Sequence, residues 1–147
     1  MSNYFSDKQV KLLAEAKSSK KYIHLKNENQ SLKDIMSLKS LNKIISMHNY
    51  WSQNNFSLVL DKNIIPFPKF STEGNELGFT KISPDPIKVE NYIKKGASLV
   101  LDDVIYCSKE IQLLADDLQI ITNGKCQANL YFSMQSHKAF APHYDTH

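Results

Sequence analysis

The chain ends on His137-Lys-Ala-Phe-Ala-Pro-His143-Tyr-Asp145-Thr-His147, and these eleven residues carry the most chemistry per position in the sequence. In an extended strand, residues two apart share one face. With a rise of about 3.3 Å per residue, the Cα atoms of His143 and Asp145 would stand roughly 6.6 Å apart. An imidazole and a carboxylate at that separation can converge on one cation through bonds of about 2.1 Å. Two histidines and one carboxylate form the facial triad of non-haem Fe(II) oxygenases, and His143 and Asp145 match two of its members in kind. His147 falls on the same face, but a straight strand puts it roughly 13 Å from His143, beyond the reach of a shared ion. It is expected on the substrate side or in solvent. Spacing alone leaves a rival open, because an isolated H-x-D pair also arises by chance.

Working back from this stretch, the chain has 147 residues, a length suited to one domain. Hydrophobic residues make up 41%, enough to build a core. The formal charge of +3 comes without a dense basic stripe, which argues against direct nucleic-acid binding. Cys107 and Cys126 show no metal-ligand spacing and are too few for a disulfide framework. Reduced thiols of a cytoplasmic protein are the expectation. The N-terminus MSNYFSDKQV lacks an apolar signal core, and no stretch approaches the ~18 apolar residues of a membrane helix.

Ser6 or Asp7 is placed to cap a helix through KQVKLLAEAKSSKK, with Val10, Leu12, Leu13 and Ala16 as a modest stripe. Weak alternation over Tyr22-Ile23-His24-Leu25 predicts a short strand. Residues 31–51 repeat apolar positions every three to four residues and predict helix, with a break near Ser37 to Ser40. His24 and His48 have no ligand partners at useful spacing and read as ordinary surface or packed residues. Phe56 to Leu60 is a predicted strand, ended by Asp61-Lys62-Asn63. Pro66-Phe67-Pro68 is incompatible with a central strand. The polar run 71–78, STEGNELG, predicts a loop.

Ile87 to Ile93 is short enough to be strand or helix. Ala97 to Leu101 predicts a strand. Ser108 caps a predicted helix from Ser108 to Leu118, with Ile111, Leu114, Ala115 and Leu118 on its apolar face. Asn123-Gly124 signals a turn, and Cys126 to Phe132 a further strand. Ser136 to Phe140 predicts a loop, with a last strand beginning near Pro142. There is no internal repeat and no phosphate-binding glycine loop.

From Gly96 to His147 the chain resembles the JmjC-like cupins, in the cupin-4 or ribosomal-oxygenase branch. The resemblance rests on Lys95 to Val104, on the helix Lys109 to Leu118, on Asn129-Leu130-Tyr131, and on the phrase Ala139 to His147. Tyr50-Trp51 is similar to a pair that precedes the first strand in that family. The closing phrase is far more specific than a bare H-x-D.

The resemblance implies an α+β architecture. An N-terminal helical, mixed region (1–50) would lead into the first strands of a double-stranded β-helix, the cupin/JmjC jelly roll (51–147). It implies an Fe(II)- and 2-oxoglutarate-dependent oxygenase that hydroxylates protein side chains, ribosomal proteins among its partners, and that forms a homodimer when complete. His143 and Asp145 would be the first two iron ligands. Asn129 and Tyr131 would line the cosubstrate pocket, with Tyr131 donating to 2-oxoglutarate; a core aromatic with a partnered hydroxyl is the rival for Tyr131. In relatives the distal histidine and the basic residue that pairs with the cosubstrate lie beyond the position of His147. The expectation is therefore a truncated, N-terminal part of such an enzyme, inactive alone. The alternative is a non-catalytic structural or protein-interaction remnant.

Overall fold

The computed structural model describes residues 2–25, 30–76 and 78–134. They form a mixed α and β structure with two antiparallel sheets. Two compact units emerge. One is built from Met1–Ile44 and Asp103–Ala128, the other from Ile45–Asp102 and the stretch that starts at Asn129.

In the first unit, α1 (Asp7–Ser18) starts at a reciprocal cap. The Ser6 hydroxyl accepts from the Gln9 backbone N–H, and the Gln9 side chain accepts from the Ser6 N–H. The predicted strand at Tyr22 to Leu25 is absent. These residues form no regular structure, and Tyr22 is almost wholly exposed. Four weakly alternating residues have too little apolar surface to hold a place in a sheet. The long helical prediction over 31–51 also shortens. A 3-10 turn covers Gln30–Asp34, and α2 runs only over Leu38–Ile45, led in by Ser37, whose hydroxyl accepts from the Ser40 N–H. Beyond Ile45 the chain turns tightly, with His48 N–H bonded to Ser46 and Tyr50 N–H to Met47.

The third α-helix of this unit, α4 (Lys109–Thr122), follows α3 of the other unit, Pro86–Lys94. Ser108 caps α4 by accepting from the Ile111 N–H, as its sequence position predicts. The helix outruns its predicted end at Leu118 by one turn. Asn123 then stops it in the left-handed conformation, φ 47°. Ile111 and Ala115 are buried on its apolar face.

The second unit holds both sheets. The larger has the order β2-β1-β5-β6, made of Asn63–Ile64, Phe56–Leu60, Ser98–Leu101 and Leu130–Phe132. Antiparallel register pairs Phe56 with Leu101 and Leu58 with Leu99, and carries on from Leu99 to Phe132 and Leu101 to Leu130. Every second residue therefore shares one apolar face. Phe56 on this face lies 5.8 Å from the Trp51 ring and 6.0 Å from that of Phe70, which also meets Tyr92 of α3. Seating the fully buried Trp51 here explains why the helical pattern stops before it. β1 and β2 join through Asp61 and Lys62, both at positive φ (50° and 67°). That is the geometry of a two-residue hairpin turn whose twist matches the strands.

The polar run 71–78 is the clearest correction. Ser71–Glu76 is a strand, β3, paired in full register with β4, Phe79–Pro84. Polarity misleads here because both faces of this ribbon are largely solvated, while the backbone groups satisfy one another across the ladder. Gly78, at φ +83°, supplies the turn. Asp85 then accepts from the N–H groups of Ile87 and Lys88 and settles the next segment as the helix α3, with Pro86 in its first turn. The predicted strand Cys126 to Phe132 contracts to β6, and the last predicted strand, from near Pro142, lies outside the described residues. Residues 126–128 fall outside β6, with the Val104 N–H donating to the Ala128 carbonyl.

Candidate functional site

Of the residues singled out in the sequence, His143 and Asp145 lie outside the described residues, as do His137 and His147. Asn129 and Tyr131 are described. Tyr131 sits in the middle of β6, paired with Val100 of β5, and Asn129 immediately precedes the strand. Strand alternation puts the two on one face, opposite to Leu130 and Phe132. Both are exposed, Tyr131 by 58%, so it is not a closed-in core aromatic.

The same face of the sheet carries a polar contact at its other end. The hydroxyls of Ser98 on β5 and Ser133 just beyond β6 are hydrogen-bonded, and Ser98 is fully buried. Asn129, Tyr131 and Ser133 thus follow one another along a single edge at strand spacing. Among the described strands β6 is the outermost of its sheet.

Among the described residues no group of three or more His, Cys, Asp or Glu side chains is arranged to hold a metal ion. His24 and Asp102-Asp103 accordingly form no centre. Asp103 stands at positive φ (55°) at the turn after β5, and the Asp102 N–H donates to the Asn55 carbonyl. Cys107 is buried and Cys126 half-buried, and they are not joined as a disulfide.

The strongest electrostatic feature lies in the first unit and had no advance signal beyond a pair of aspartates in a helix. Asp117 of α4 is buried, at 5% exposure. Its carboxylate accepts from the Ser2 hydroxyl (2.6 Å), the Asn3 N–H (2.7 Å), the Tyr4 N–H (3.0 Å) and the Asn3 side-chain amide (3.2 Å). Burial pushes its pKa up, but these donors outweigh burial and hold it below the usual aspartate value. Tyr4 also donates from its hydroxyl to the Glu110 carbonyl. Its phenol is pushed up, first by burial and then by the Glu110 and Asp117 charges. The arrangement ties the N-terminal stretch to α4.

Cavities among the described residues include two of note. One, about 500 Å³, is lined in the second unit by Ser52, Asn54, Phe67, Ser71, Glu73 and Ile82 among others. The other, about 430 Å³, lies in the first unit beside Lys39, Lys43, Cys107 and Lys109. Neither of these two is lined by Asn129 or Tyr131. No helix among the described residues is long and apolar enough to cross a membrane. No protein-family model, curated protein or solved structure matches the chain.

Proposed function

We propose that the chain contributes to an Fe(II)- and 2-oxoglutarate-dependent oxygenase on a double-stranded β-helix, acting on protein side chains. The phrase Ala139 to His147, with its imidazole and carboxylate two residues apart, carries this assignment. The placement of Asn129 and Tyr131 on one exposed strand face supports it. So does the antiparallel sheet in which β6 is the outermost described strand.

The donor set fits the metal. One neutral imidazole and one carboxylate are the ligand types that favour a divalent first-row ion with positions left for exchangeable ligands. Iron bound there would supply activation of dioxygen for hydroxylation. The chain's own residues bind and orient. His143 and Asp145 would hold the cation, and the Asp145 charge would offset part of the ion's own. The Tyr131 phenol would donate to the cosubstrate, and the Asn129 amide would supply a further donor. A protein side chain is the proposed substrate class, as in the characterised members of the family it resembles, which include hydroxylases of ribosomal proteins.

Water-proton relaxation during titration with Mn(II), a redox-stable probe for the iron position, tests the assignment. Weak uptake is expected, since His143 and Asp145 are two of the triad's three ligands, and it should be lost when His143→Ala and Asp145→Ala are combined. Uptake that survives the double substitution overturns the proposal. Tyr131→Phe is expected to leave Mn(II) uptake intact and weaken 2-oxoglutarate binding about tenfold, the ~1.5 kcal/mol of a charge-assisted hydrogen bond.

A further inference from the structure

We draw no further inference here: the strongest candidate, the cavity of about 430 Å³ where Lys39, Lys43 and Lys109 gather at the N-terminus of α4, carries nothing because Glu110 already places an anion among these lysines and no second feature of the described residues points to a ligand.

Discussion

The sheet of the second unit and the N-terminal stretch of the first are held by different physics. In the second, the sheet β2-β1-β5-β6 buries Phe56, Leu58, Leu99 and Leu101 almost completely, and the Trp51, Phe70 and Tyr92 rings extend the aromatic core. Its stability comes from apolar area, which is non-directional and independent of pH. In the first, the N-terminal stretch is fixed by one buried carboxylate that four hydrogen bonds from Ser2, Asn3 and Tyr4 reach. Those bonds are directional, and they depend on a proton being absent. The contrast teaches that a fold of this size can keep a sheet by accumulated surface and pin one terminal stretch by a single ionised group.

The largest effect should come from the apolar side. Phe56→Ala is expected to cost about 3–5 kcal/mol, read from urea unfolding followed by the fluorescence of Trp51, the chain's single tryptophan. A loss under ~1 kcal/mol would show that the sheet does not rest on this aromatic contact. Next, Asp117→Ala should cost roughly 1–3 kcal/mol, because it strands donors that the carboxylate satisfies. Faster amide exchange at Asn3 and Tyr4, with the protection of β5 unchanged, is the expected signature.

Acid separates the two units further. The Asp117 pKa is depressed in the folded chain, so its stabilisation is fully present above the unfolded value of about 3.9 and is lost as pH falls through the lower folded value. Protection of the Tyr4 amide should hold on descending to about pH 4 and then fail. Asp117→Asn should flatten that dependence. A β5 amide that loses protection in step with Tyr4 would contradict the contrast. Smallest of all is the polar ribbon. Thr80→Ala, on an exposed position of β4, should change stability by no more than about 0.5 kcal/mol.

Legibility in the sequence follows the same division. The alternation Phe56 to Leu60 predicts β1 with its observed bounds, and Ser108 marks the start of α4, since burial and capping both leave local patterns. The ribbon β3–β4 leaves none. Its strands meet through backbone groups, which every residue has, and its side chains face water on both sides. Gly78 was the one local clue, and it reads equally well as part of a loop. Asp117 is hidden for another reason. Its partners stand 113 to 115 residues away, and a carboxylate in a helix gives no sign of where its donors will come from. The candidate site divides likewise. The motif names His143 and Asp145 by type and spacing, and strand alternation puts Asn129 and Tyr131 together. The exposure of Tyr131, by contrast, depends on which strand ends the sheet, and that is a property of the assembled fold.

The long reach of Asp117 also sets an order of events during synthesis. The stretch around Ser2 to Tyr4 leaves the ribosome well before its anchor, which follows more than a hundred residues later. At translation rates of ~5–20 residues per second, that interval is on the order of ten seconds. Through it the first helix has no finished unit to join, whereas β1 and β2, separated by two residues, can pair within microseconds of emerging. The Ser2 to Tyr4 stretch is therefore secured later than the hairpin that follows it in the chain.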